Sequence, residues 1–306
     1  MQEIICLLAQ ERVFEEAEEV LDTLLGIDIS SKQIQRVSEY YGEKLEESEK
    51  NYQQGKVDVP LVVSQKSNEP VYVTVDGSMV YTREEGWKEI KVGRIYSEKS
   101  RVSVQEKRTE VMSSLYVCTL GNNKDFFKKL DSYVEPYKHK VFIADGAKWI
   151  WNWAEDFYNG SVQILDFFHA VEKLGAYACL AYKDVVERKQ WLDYQKQRLR
   201  ADQVKEVLEE LKNTIAKTTE SDKALKDVIR YYESNMDRMM YGTFIEKGYL
   251  IGSGAIESAH RNVIQQRLKL SGQRWSIKGA QRIANLRAYR KSKRWKEVIE
   301  QIKMAA

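Results

Sequence analysis

Residues 140–170 read KVFIADGAKWIWNWAEDFYNGSVQILDFFHA, and this stretch decides the fold. Two short apolar runs, VFIA at 141–144 and VQIL at 162–165, each end in an acid, Asp145 and Asp166. Between them a tryptophan-rich segment reads as a helix closed by Asn159-Gly160. Strand, helix and strand in so short a span make a βαβ unit with parallel, buried strands. Upstream, residues 71–81 (VYVTVDGSMVY) alternate Val71, Val73 and Val75 against Tyr72, Thr74 and Asp76, with a turn expected at Asp76-Gly77. Strand patterns recur at 87–95 and around 114–120, close enough for an antiparallel meander. Three antiparallel strands followed by parallel ones are the layout of an α/β, RNase H-like mixed sheet.

The flanks are helical. No proline follows Pro136, and residues 167–241 read as helix before GYLIGSG at 248–254 interrupts and a new helix starts near Ser253. At the N-terminus Phe14, Ala17, Val20, Leu21, Leu24 and Leu25 form the stripe of an amphipathic helix that Gly26 stops. Ser30 or Ser31 then caps a second helix to about Glu49, with Ile34, Val37 and Tyr41 inward. Two helices about a short turn have a helix-turn-helix outline, and equally that of an ordinary helical hairpin. The expected organisation is an N-terminal helical region over residues 1–59 and an α/β domain over 60–306, with a helical insertion at about 170–241.

Composition narrows the function classes. No run of 18 apolar residues is present, and the first residues turn acidic without a basic n-region, so neither a membrane span nor a signal peptide is expected. Cys6, Cys118 and Cys179 lie far apart with no CxxC, which suits a reducing cytosol and argues against a disulfide framework or a structural zinc finger. Cys179 reads as a small buried apolar residue. The net charge of +3 conceals two opposite blocks. Residues 1–59 hold six basic and fourteen acidic side chains, whereas thirteen Lys or Arg against two Glu follow Glu257. The basic block is either the footprint of a phosphate-backbone contact or a solvated helix face.

Three carboxylates stand out by position. Asp76 ends the alternating half of its strand, although Asp-Gly is also the favoured hairpin turn. Asp145 ends an apolar strand, where α/β sheets bind ligands, and is also placed to cap the helix that follows. Glu257 lies in the first turn of a helix, which the helix dipole alone would favour. Together they make an all-oxygen ligand set suited to Mg²⁺ or Mn²⁺. Two such ions would serve an in-line phosphoryl displacement, with Asp76 bridging and Asp145 and Glu257 flanking. His260 and Arg261 follow Glu257 by three and four residues on one helix face, Arg261 as its salt partner or as a phosphate contact. Trp275 has two readings, a stacking surface for an unpaired base or a core anchor.

In their order, VTVDG, FIADGA, DFFH and GSGAIESAHRNVIQQRLKLSGQRW resemble the DDE transposases of bacterial and archaeal insertion sequences, the ISKra-type group in particular. Gly252, Gly254, Glu257, Arg267, Lys269, Gly272 and Trp275 carry the most specific part. The resemblance implies catalytic, metal-holding Asp76, Asp145 and Glu257, a D-x-x-H feature at Asp166 and His169 that shapes the site or touches DNA, and candidate site-shaping or DNA-contacting residues at Arg261, Arg267, Lys269 and Trp275. It also implies double-stranded DNA (element ends and target) as substrate, a DNA-bound homo-oligomer, and a cytoplasmic, nucleoid-associated location. The expected activity is phosphodiester hydrolysis at element ends followed by 3′-hydroxyl strand transfer. A non-catalytic DNA-binding derivative and a structure-selective nuclease are the alternatives. Such enzymes usually carry a longer, often zinc-bearing N-terminal region, so a truncated copy is a further expectation.

Overall fold

The computed structural model describes residues 1–105 and 108–305. In chain order the elements are α1 (Gln2–Ala9), α2 (Phe14–Leu25), α3 (Ser31–Gln53), β1 (Val71–Thr82), β2 (Gly86–Ser97), β3 (Arg101–Gln105), β4 (Arg108–Val111), β5 (Leu115–Leu120) and α4 (Asn123–Val134). Then come β6 (Lys140–Ala144), α5 (Lys148–Tyr158), β7 (Val162–Leu165), α6 (Phe167–Ala181), α7 (Val185–Arg200), α8 (Val204–Asn213), α9 (Thr219–Asn235) and α10 (Tyr241–Glu246). The chain ends with α11 (Gly254–Ala259), a π-helical stretch (His260–Gln265), α12 (Gln266–Leu268), α13 (Ile277–Lys291) and α14 (Trp295–Met304). The protein is mixed α/β, with a five-stranded mixed sheet made of the antiparallel set β5-β2-β1 and the parallel pair β6-β7. Among the described residues no helix is long and apolar enough to cross a membrane.

Two compact units divide the chain, Met1–Lys140 with Ala255–Ala306, and Val141–Gly254. In the first, the expected meander forms around a β3–β4 hairpin inserted between β2 and β5. Ser30 caps α3 by accepting from the Gln33 N–H, and Gly26 ends α2 at φ +61°, a left-handed conformation that glycine adopts without a Cβ penalty. α3 lies against α13 at Gly42, where a Cβ would sit 2.6 Å from the Arg282 carbonyl oxygen. Tyr41, Leu45, Val80, Ile90, Val263, Ile283 and Leu286 share the core that joins these helices to the sheet.

The second unit contains the βαβ unit, with Val141 opposite Val162 and Ala144 opposite Leu165 in parallel register. Phe142 packs edge-on against Trp153 of α5, ring centroids 5.2 Å apart. The helices beyond it hold to one another through contacts such as Tyr232 Oη donating to the Ala170 carbonyl at 2.9 Å. Cys179, expected inside, is exposed, and Cys6 and Cys118 are buried; all three are free thiols. α6 is amphipathic, and Cys179 falls on its outer face while Tyr177 and Ala178 turn inward.

Candidate functional site

In the first unit Asp76 is not part of a turn. β1 runs unbroken through it, with Asp76 opposite Val92 and Gly77 opposite Lys91, so the turn expected at Asp76-Gly77 is corrected. The hairpin closes six residues later, over residues 83–85, where Gly86 takes φ +70°. The Thr82 hydroxyl holds that loop, donating to the Gly86 carbonyl and accepting from the Glu85 N–H. Gly77 answers cross-strand crowding instead: a Cβ there would lie 2.2 Å from a Glu89 carboxylate oxygen, and Glu89 is tied to Lys91 at 2.7 Å. The strand therefore presents Asp76 as a half-exposed carboxylate. Its Oδ1 accepts from the Gly77 N–H at 2.7 Å, and its Oδ2 lies 3.2 Å from His260 Nε2. His260 is buried, and neither ring nitrogen makes a directed hydrogen bond among the described residues.

Glu257 occupies the first turn of α11, is exposed, and has no lysine or arginine paired with it among the described residues. Three residues on, the helix widens into the π-helical stretch that begins at His260, a distortion often found at functional sites. One residue missed from sequence positions this helix. Arg94 on β2, buried to 3% exposure, donates to the Ala255 carbonyl at 2.6 Å, to Ser114 Oγ at 2.9 Å and to the Val111 carbonyl. Its guanidinium fork fixes where Glu257 emerges. An arginine within an alternating strand pattern gives no sequence signal of such a tether. Arg261 is exposed and forms no ion pair with Glu257, which removes the salt-partner reading.

In the second unit Asp145 follows β6. The cap position of α5 is Ala147, and Asp145 Oδ1 accepts from the Ala147 N–H at 3.0 Å in a tight turn of its own. Gly146 is required here, because a Cβ would meet the Tyr231 ring at 2.1 Å. Asp166, 1% exposed, caps α6 by accepting from the His169 N–H at 2.9 Å and also accepts from the N–H and hydroxyl of Ser253. Burial pushes its carboxyl up, but the hydrogen bonds from His169 and Ser253 outweigh that and hold it below the ordinary value. His169 Nδ1 stands 3.5 Å from Asp166 Oδ1, an ion pair rather than a directed hydrogen bond. The Asp166 carboxylate raises the imidazole to about 9 against the opposing effect of burial, with Asp145 and Glu172 adding to the rise.

His169 is thus a cation at neutral pH. Because its folded value lies above the unfolded one, its contribution to stability is complete below pH 6.5 and is lost as pH rises through about 9. An NMR titration of the three histidines should show one near 9. Asp166→Asn, which can still cap α6, should return it toward 6.5 and flatten the stability slope over that interval. A His169 titrating near 6.5 in the native protein would refute this.

Part of the basic C-terminal block is turned toward the acidic N-terminal one, while eight of its thirteen basic residues are exposed. Arg282 pairs with Glu43 at 2.5 Å, Lys291 and Arg287 with Glu11 at 3.0 and 3.3 Å, and Arg294 lies 3.7 Å from Glu49. Arg267, a candidate DNA contact, is buried between the rings of Phe14 and Trp275 and donates to the Ala9 carbonyl at 2.8 Å; burial and the nearby Arg287 lower it to about 10. Trp275 is 6% exposed and donates to the Leu268 carbonyl, so its core reading is the realised one. Lys269 is exposed and reaches Ser78 Oγ at 3.0 Å.

The described residues contain no group of three or more His, Cys, Asp or Glu arranged to hold a metal. Asp76 and Glu257 belong to one unit and Asp145 to the other. What the fold and site define is a mixed α/β protein with a strand-borne and a helix-borne carboxylate in one unit and, in the other, buried Asp166 and Ser253 beside the partly exposed His169. The chain belongs to the UPF0236 uncharacterised protein family, whose model matches residues 6–302. It is also similar to the UPF0236 protein in the vanSb 3′ region of Streptococcus gallolyticus, 25% identical over 296 residues. The match takes in 91% of this chain and 60% of that relative, so the chain spans under two thirds of the relative's length. The resemblance to ISKra-type DDE transposases is thereby corrected: the matching family is UPF0236, and neither its description nor the streptococcal name indicates that family. Of the motifs that suggested it, FIADGA is an apolar strand passing through Asp-Gly into a helix, a common junction in α/β sheets, and VTVDG continues as strand.

Proposed function

We propose that this protein performs divalent-metal-dependent phosphodiester chemistry on DNA, hydrolysis at a DNA end followed by transfer of the freed 3′-hydroxyl to a second DNA, on an RNase H-like sheet. The observation that carries this reading is Asp76, a half-exposed carboxylate in mid-strand, beside a buried His260 on the helical segment that also presents Glu257. Asp76 and Glu257 are hard oxygen donors, unpaired with lysine or arginine among the described residues, which suits Mg²⁺ or Mn²⁺. Such ions are commonly held by one or two protein carboxylates completed by substrate phosphates, so a preformed three-residue cluster is not required. When bound, the cation would neutralise charge developing on the phosphoryl oxygens. The chain's own part is to fix Asp76 through the Gly77 N–H and to set the emergence of Glu257 through Arg94. The exposed Arg261 and Lys269 are candidate phosphate contacts.

The test is Mn²⁺-dependent cleavage and joining of DNA that carries the sequences flanking this gene, comparing the native protein with Asp76→Asn. Cleaved and joined products that vanish in the variant support the reading. Cleavage without joining makes the protein a nuclease. DNA binding with no cleavage by either protein leaves a DNA-binding protein and overturns the proposal.

A further inference from the structure

The tip of the β1–β2 hairpin and the loop after α12 enclose a cavity of about 450 Å³, open to solvent, whose walls include Tyr81, Trp87, Leu270, Lys269 and Arg274. Trp87 is 64% exposed, and its ring meets Tyr81 edge-on at 5.4 Å and 85°. Leaving an indole and a neighbouring Leu270 in water forgoes burial that a core position would supply, so packing does not explain this Trp. The floor is held in place. Trp275 N–H donates to the Tyr81 carbonyl at 3.2 Å, Arg83 N–H donates to the Trp275 carbonyl at 2.8 Å, and Thr82 forms a parallel bridge with Trp275. The buried Trp275 thus fixes the loop that carries Lys269 and Arg274 against the hairpin that carries Trp87.

The charge of this cavity is one-sided. Lys269 and Arg274 are exposed and form no ion pair among the described residues, and no acid lines the cavity. The nearest acids in sequence are already engaged: Glu85 pairs with Lys88 at 2.5 Å, Glu89 pairs with Lys91 at 2.7 Å, and Glu84 accepts from the Ile277 N–H at 3.2 Å. An apolar protein segment docking here would bury two cations without a counter-charge, which is unfavourable. A nucleotide supplies both complements at once, a π-face for Trp87 and a phosphate for the two cations.

We propose that this cavity binds an unpaired nucleotide, its base stacked on Trp87 and its phosphate held by Lys269 and Arg274. This deepens the DNA reading above by naming single-stranded or frayed nucleotides as what the hairpin face takes, and its test needs no cleavage. Fluorescence anisotropy of a labelled oligothymidylate would be followed in EDTA for the full chain. Trp87→Ala should weaken binding about tenfold or more, and Trp87→Phe should recover most of it. Joint replacement of Lys269 and Arg274 by Ala should reduce the slope of log K against log salt by roughly 0.7, the share of the one phosphate they hold. Trp87 is exposed, so circular dichroism of Trp87→Ala should match the native protein. Unchanged affinity in Trp87→Ala, a fully paired duplex bound as tightly as the single strand, or no oligonucleotide binding at all would each overturn the proposal. Trp87-dependent binding without any cleavage activity would leave it standing while removing the catalytic reading. Cleavage that ignores Trp87, with Trp87-independent binding, would do the reverse.

Discussion

Arg294→Met is expected to destabilise the first unit by about 3–5 kcal/mol, the usual consequence of stranding a buried charge. Arg294 and Glu49 are 7% and 4% exposed and sit in a cage of phenols. The guanidinium donates to Tyr133 Oη at 2.8 Å and to Glu297 at 2.6 and 2.8 Å, and lies over the Tyr289 ring at 4.0 Å. Glu49 Oε1 in turn accepts from Tyr133 Oη at 2.7 Å and Tyr289 Oη at 2.8 Å. Burial alone would lower the arginine, but Glu297, the two tyrosines and Glu49 raise it above its ordinary value. Without Arg294, Glu49 keeps only its phenol hydrogen bonds and Lys129 at 3.9 Å. Urea unfolding followed by fluorescence reads the loss as a lower midpoint. The double variant Arg294→Met with Glu49→Met should recover the part of the loss that comes from stranding Glu49, and not the part from Glu297, Lys129 and the two phenols, which then lack these partners. A double variant as unstable as the two losses added would show that packing on Tyr289, not charge, carries the effect.

This cluster also shows what the charge blocks could not tell from sequence alone. A block of thirteen basic residues after Glu257 has the composition of a phosphate-binding surface, and composition cannot say which way a side chain faces. The fold buries Arg267, Arg287 and Arg294 and pairs Arg282, Arg287, Lys291 and Arg294 with acids of α3 and the α1–α2 connection, while the other eight basic residues of the block stay exposed. Long-range pairing across more than 200 residues has no local signature. Elements set by local periodicity were legible: α2 with its Gly26 stop, α3 with its Ser30 cap, and the βαβ unit of β6, α5 and β7. Asp76-Gly77 was legible only as a turn dipeptide, since what keeps β1 straight through it is its register with β2. The sequence left Trp275 with a stacking and a core reading, of which the core one is realised, and gave no sign that Trp87 is exposed. Trp275 stands in a polar, glycine-containing loop yet is buried under Arg267, whereas Trp87 sits in a strand pattern yet is exposed. α1, α4 and the β3–β4 hairpin were not read at all, being short or weakly patterned.

The largest functional effect expected belongs to the carboxylate pair. Asp76→Asn and Glu257→Gln should each lower single-turnover cleavage at saturating Mn²⁺ by about a thousandfold, roughly 4 kcal/mol of transition-state stabilisation. Both replacements keep size and hydrogen-bonding shape. An asparagine at 76 can still accept from the Gly77 N–H, so a loss of this size would report the missing negative charge and not a disturbed strand. DNA affinity in EDTA should stay within a few-fold of native, because a carboxylate does not attract a phosphate backbone. The double variant decides how the two act. Groups that serve one step as a unit lose nearly everything with the first substitution, so the pair together should be little worse than either alone. Losses that simply multiply would mean that Asp76 and Glu257 act at separate steps. A rate above a tenth of native in either single variant would place the chemistry outside this pair, and the strand-borne aspartate beside His260 would then be a feature of the fold alone.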